Sequence, residues 1–129
     1  MRRVMSAAHL IESGTMTTKK TTIAGKEVTL AYCYATEIAF RKYTGVSIDS
    51  FNAEDPEHVL YIIIASILAW CQANGTESDV KDEDIIYRAK PKELVDTLTV
   101  IFDLRREWYE IPAEDAKKDK EPEEREKKD

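Results

Sequence analysis

Apolar residues are distributed unevenly along this chain, and one stretch dominates. Residues 59–71 (VLYIIIASILAWC) are apolar on every side of a helical wheel and are bracketed by helix punctuation. Asp55-Pro56-Glu57 supplies an N-cap oxygen, a proline at the first helical position and an early acid for the helix dipole, and Asn74-Gly75 supplies the stop. The pattern predicts a helix and not a strand. A helix with no polar face must be wrapped by its own chain or by a partner.

The period changes on either side of that run. Residues 21–32 (TTIAGKEVTLAY) set Val28, Leu30 and Tyr32 in alternation with Glu27, Thr29 and Ala31 after Ala24-Gly25-Lys26. This predicts a small β-hairpin in which Gly25 takes positive φ and Ile23, Val28 and Leu30 lie on a helix. Residues 31–43 move to helical spacing, with Tyr34, Ala35 and Ile38 on one side and Glu37 paired to Arg41 on the other, and Thr44-Gly45 ends them. Val46, Ile48 and Phe51 alternate with Ser47, Asp49 and Ser50, which predicts a short extended connector.

After Gly75, Asp79 and Asp82 introduce a short amphipathic turn carrying Ile85, Ile86 and Tyr87. Lys90-Pro91 ends it and starts a last helix over residues 91–110, with Leu94, Val95, Leu98, Ile101, Phe102 and Trp108 in one stripe and Asp96, Asp103, Arg106 and Glu107 in water. The expected fold class is therefore mainly α: a small helical bundle of three main helices and one short helix, with a small N-terminal β-hairpin.

Composition sets the bounds. Residues 1–20 hold no sustained periodicity and end in a Thr/Lys cluster, which reads as a flexible leader within which Met16 offers an alternative start. Residues 112–129 carry six Lys/Arg against eight Asp/Glu and no aromatic or large aliphatic residue, which reads as a disordered charged tail. Between them, residues 21–111 form a single helical domain. A net charge of -6 argues against a nucleic-acid partner held through phosphate contacts. The apolar run is shorter than the ~20 residues of a membrane crossing, and the N-terminus lacks a signal-peptide core, so the expectation is a cytoplasmic protein with no membrane partner.

Candidate chemistry is sparse. Asp79, Asp82, Glu83 and Asp84 lack the alternation and glycine of a calcium loop and read as a solvated helix N-terminus. Cys33 and Cys71 sit among apolar helical neighbours, outside any CxxC, and read as small hydrophobes, so no metal or cofactor is expected. Tyr32, Tyr34, Phe40 and Tyr43 are close in sequence but have only Arg41 and Lys42 beside them, which favours a core-and-rim role over a stacking platform for single-stranded nucleic acid. No nucleophile elbow or phosphate loop is present, and the chain reads as a non-enzyme. Two readings of the central run remain. Either the other helices and the hairpin bury it fully, or the chain has too few apolar faces and leaves a groove for another protein's hydrophobic segment.

The order of these motifs resembles the tail assembly chaperones of long-tailed bacteriophages and prophages. The resemblance runs through IAGKEVTLAY, a helix closing in KYTGVSI with Phe51 after it, the apolar helix with Trp70, and a last helix ending in WYEI, and it covers residues 21–111. It implies a small, mostly helical, cytoplasmic protein absent from the finished virion. Such a protein coats the hydrophobic helical segments of the tape-measure protein and helps recruit tail-tube subunits. It also implies that a ribosomal frameshift can extend a fraction of the copies, at a site such as the Lys117-Lys118 or Lys127-Lys128 codons. The family has no catalytic residues to carry over.

Apolar helix faces nominate Tyr34, Ile38, Tyr61, Ile64, Leu68, Trp70, Ile101, Phe102 and Trp108 as protein-interaction residues, with homo-oligomerisation open. The alternatives are a structural head-tail or tail component, which would be found in purified virions, and a small host-directed regulatory protein, which would copurify with a host protein.

Overall fold

The computed structural model describes residues 16–110. The expectations for residues 1–15 and for the charged tail lie outside the described residues. Within them the fold is mainly helical, with three long helices, a short helical turn and an N-terminal antiparallel hairpin.

Strands β1 (Thr17–Ile23) and β2 (Lys26–Tyr32) pair in register from Thr17↔Tyr32 to Ile23↔Lys26. The hairpin therefore begins four residues before the expected start and takes residues 17–20 from the expected leader. The Thr-rich, Lys-containing run TTKKTT is a good exposed edge strand because β-branched threonines suit the pleat and lysines keep the edge in water. Thr17 also ties the strand down, its hydroxyl donating to the Leu104 carbonyl at 2.7 Å. Ala24 (φ 55) and Gly25 (φ 81) make the two-residue turn, both with positive φ as a type I′ hairpin requires. Ile23, Val28 and Leu30 are buried as the alternation predicted.

Helix α1 spans Tyr34–Thr44. Ala31 and Tyr32 complete β2 instead of opening this helix, and Cys33 is its extended N-cap residue. The Cys33 amide donates to Thr36 Oγ1 at 3.2 Å and the Thr36 hydroxyl donates to the Ala31 carbonyl at 2.9 Å, which turns the strand into the helix. That turn sets the helix phase. Thr36 and Phe40 face the core, so Tyr34, Ala35 and Ile38 face outward. Gly45 (φ 83) caps the helix in the left-handed conformation, its amide donating to the Arg41 carbonyl at 2.8 Å. The expected extended connector is instead a 3-10 turn, Ile48–Ser50, which buries Ile48 and presents Phe51 to Phe40 and Phe102, with ring centroids 5.9 and 4.9 Å apart.

Helix α2 spans Pro56–Asn74. Asp55 Oδ1 accepts from the Glu57 and His58 amides at 2.9 and 3.4 Å, and Gly75 (φ 65) ends the helix. Residues 62–67 are all buried, so its two middle turns are wrapped on every side by α1, β2 and the last helix. Each fully buried isoleucine there contributes about 1.5–3 kcal/mol. By length and composition α2 could also cross a membrane, a test that a wrapped core helix passes equally. The wrapping ends at the helix termini, where Val59, Leu60, Leu68 and Trp70 are only half-buried.

The short helical turn closes as a π-turn, Asp84–Arg88. Of the three apolar residues on this turn it buries Ile85, whereas Ile86 and Tyr87 are exposed. Helix α3 spans Pro91–Tyr109 and packs on both strands through Thr97, Ile101 and Leu104, flanked by half-buried Leu94, Leu98, Phe102 and Trp108. Val95 lies one position off that stripe and is exposed, unlike its neighbours in the expected set.

Candidate binding surface

Helices α1 and α2 pack side by side, and four alanines line the seam between them, exposed Ala35 and half-buried Ala39 on one and buried Ala65 and Ala69 on the other. Small side chains leave a trough above them, and the larger ones rise on either side: Ile38, Lys42 and Tyr43 from α1, Leu68 and Gln72 from α2. The result is an open groove of about 310 Å³. Tyr43 stacks on Tyr61 with ring centroids 4.9 Å apart and planes 16° from parallel, which fixes both rings beside it. Exposure is high for apolar residues: Tyr34 66%, Tyr43 47% and Ile38 43%. The phase set by Thr36 and Phe40 causes this, because a helix that buries those two positions must turn Tyr34 and Ile38 to solvent.

The nine interaction residues nominated from sequence separate into three groups. Ile38, exposed, and Tyr61 and Leu68, half-buried, lie on the groove side of the α1–α2 pair, with Tyr34 exposed outside the groove lining. Ile64 and Ile101 are core residues and are removed from any contact surface, since α2 is wrapped at its middle and α3 turns Ile101 onto the hairpin. Trp70, Phe102 and Trp108 are half-buried against that core, away from the groove lining. Trp108 packs on Tyr32 and Tyr109, with centroids 5.6 and 4.8 Å away. Sequence reasoning missed Tyr43, Lys42 and the four alanines. The alanine pairs at i, i+4 in both helices were the available signal, because matched small residues mark where two helices approach most closely.

Beside the groove sits a polar cluster that holds α1 to the end of α3. Glu37 Oε2 accepts from the Tyr32 hydroxyl at 2.8 Å and from the Tyr109 hydroxyl at 2.9 Å, so the expected Glu37–Arg41 pair does not form. Arg105 places its Nε 3.7 Å from the same oxygen, its Nη2 3.1 Å from Asp49 Oδ1 and its guanidinium 5.0 Å from the Tyr109 ring centroid. Burial first, and then the bond to Glu37, push the Tyr32 phenol well above its ordinary value. Tyr109 is also raised, mainly by its bond to Glu37. Both phenols are held protonated as donors, which makes the cluster a structural clasp.

The acidic cluster also differs from its expected form. Asp79, Asp82 and Glu83 are exposed, but Asp84 is buried at 3% exposure. Its carboxylate accepts from the Lys81 amide at 2.9 Å, from Lys26 Nζ at 3.2 Å and from Arg88 Nη1 at 2.8 Å. The backbone bond, assisted by the two cations, holds its pKa below the ordinary carboxylate value. Among the described residues no three His, Cys, Asp or Glu side chains converge as a metal site would need. Tyr32 and Phe40 are buried while Tyr34 and Tyr43 are exposed, which divides the four clustered aromatics between core and rim.

No family model, no curated protein and no solved structure matches this chain.

Proposed function

We propose that this protein is a non-catalytic binding module that sheathes an apolar helical segment of another protein in the α1–α2 groove. One observation carries the reading: on a chain with a third of its residues charged, Ile38 and Tyr43 stand exposed on the walls of a trough floored by alanine. A trough of that shape suits an amphipathic helix laid along it, with anchors at i, i+3 and i+4. The groove walls supply Lys42 and Tyr43 as titratable groups and carry no carboxylate, histidine or thiol, which suits binding better than acid–base or nucleophilic chemistry.

The partner in this proposal is taken from the resemblance to phage tail assembly chaperones. In this reading the occupant is a hydrophobic helical segment of a tape-measure protein, met in the host cytoplasm, with tail-tube subunits recruited afterwards. Coexpression of the full chain with tape-measure fragments tests it. A fragment that is insoluble alone and soluble in a complex of fixed stoichiometry, lost on Ile38→Ser, supports the proposal. Fragments covering the whole tape measure that all stay insoluble beside a well-folded partner overturn it, and detection of the protein in purified virions turns the reading to a tail component.

A further inference from the structure

Helix α3 ends at Tyr109, and Tyr109 is itself a wall of a second open cleft, of about 450 Å³, that runs along α1 on the other side of Ile38. Tyr34 and Ile38 form an apolar shelf at the end nearer the α1 N-terminus, and Arg41 and Lys42 stand at the other. Two carboxylates also line the cleft, but both are already engaged. Glu37 accepts from two phenols and Asp49 from Arg105. Arg41 and Lys42 are exposed and form no ion pair among the described residues. The cleft therefore fits an apolar side chain followed a few residues later by carboxylates.

The chain that leaves α3 has this pattern. After Glu110 the sequence reads Ile111-Pro112-Ala113-Glu114-Asp115. Pro112 disfavours helical geometry at the residue before it, and α3 ends at Tyr109 on the cleft wall. The distances agree: Tyr34 to Arg41 covers about 10 Å at ~1.5 Å per residue, and Ile111 to Glu114 reaches up to about 10 Å when extended. We propose that this cleft is the docking site of residues 111–115 of the same chain, with Ile111 on Tyr34 and Ile38, and Glu114 and Asp115 against Arg41 and Lys42. Ile38 and Lys42 line both the cleft and the α1–α2 groove, and the docking does not depend on what the groove binds.

Nuclear magnetic resonance on the isotope-labelled full chain tests the proposal. The expected result is a set of nuclear Overhauser contacts from the Ile111 methyls to the Tyr34 ring and the Ile38 methyls. Those contacts vanish in E114K/D115K, with shifts confined to α1 amides, and return when R41E/K42E is added. All four substitutions lie on exposed side chains or past the described fold, and amide dispersion verifies folding. An absence of contacts from Ile111 to α1, with α1 amides unchanged in E114K/D115K, overturns it. Contacts found only between differently labelled copies also overturn it, by assigning the cleft to a second molecule.

Discussion

Tyr109 donates a 2.9 Å hydrogen bond to Glu37 across 72 residues of chain, and the same carboxylate oxygen takes the Tyr32 hydroxyl at 2.8 Å. One oxygen thereby joins β2, α1 and the end of α3. Its two donors are not equivalent. Tyr109 is exposed and regains water if the bond is lost, whereas Tyr32 is fully buried and cannot. Glu37→Ala should therefore destabilise the fold by about 1–3 kcal/mol, mostly by leaving the Tyr32 hydroxyl unsatisfied. Glu37→Gln keeps an acceptor and should cost less. Urea unfolding compares the two, and a Glu37→Ala protein as stable as the parent would show that the clasp carries no stability.

The clasp also predicts an alkaline response. The Tyr32 phenol titrates at 10.0 when unfolded and well above that in the fold, raised first by burial and then by its bond to Glu37. A raised folded pKa means that its stabilising contribution is complete below pH 10 and is lost as pH climbs from there toward the folded value. Stability should fall with pH in that range. Tyr32→Phe, though less stable at neutral pH for want of the hydrogen bond, should fall less steeply. Parallel slopes for the two proteins in denaturant titrations above pH 10 would refute this assignment.

Asp84 predicts the opposite limb. Its folded pKa lies below the ordinary 3.8, held there by the Lys81 amide and then by Lys26 and Arg88. Its contribution is complete above 3.8 and is lost as pH falls through the depressed folded value. Asp84→Asn should lower the melting temperature at neutral pH and flatten its decline in acid. A variant whose acid limb matches that of the parent would place the acid sensitivity elsewhere.

These two carboxylates show how far the sequence could be read. Helix α2 was legible to the residue, because Asp55, Pro56 and Gly75 act on the backbone within one turn of themselves. The hairpin turn and the buried Ile23, Val28 and Leu30 were legible for the same reason, as local chemistry with a period of two. Asp84 was read as solvated because its partner Lys26 lies 58 residues away, and nothing in the local pattern DIIYR requires burial. Which face of α1 turns inward was not legible, because a polar residue competes for the core. Thr36 enters the core by donating to Ala31, which turns the more apolar Tyr34–Ile38 face outward. In the binding surface, Ile38 and Leu68 were legible as apolar helix positions, but their separation from Ile64 and Ile101 depends on packing between helices.

Ala24 is the one non-glycine residue with positive φ among those described, at 55°, in the first position of the type I′ turn. Left-handed geometry costs an alanine roughly 1–2 kcal/mol, and asparagine tolerates it far better. Ala24→Asn should raise stability by about 1 kcal/mol while keeping the Ala24 amide's 3.3 Å bond to Glu93. A drop in the denaturation midpoint would mean that the turn relaxes out of the I′ geometry.

The groove reading is tested most sharply by two isoleucines that the sequence could not tell apart. Ile38 is 43% exposed on the groove wall, and Ile101 is fully buried on α3. Ile101→Ala opens a cavity in the core and should cost about 2–5 kcal/mol. Ile38→Ser removes a side chain that already faces water and should change stability by within about 0.5 kcal/mol. If the α1–α2 groove holds the partner segment, the order reverses for binding. Ile38→Ser should weaken capture several-fold or more as a lost anchor, while Ile101→Ala, assayed where it remains folded, should bind as the parent does. Leu68→Ala, on the opposite wall, should weaken capture alongside Ile38→Ser. Titration of a labelled partner helix against each folded variant gives the comparison. Equal affinities for the parent and Ile38→Ser would exclude the groove as the binding site, whatever the stability data show.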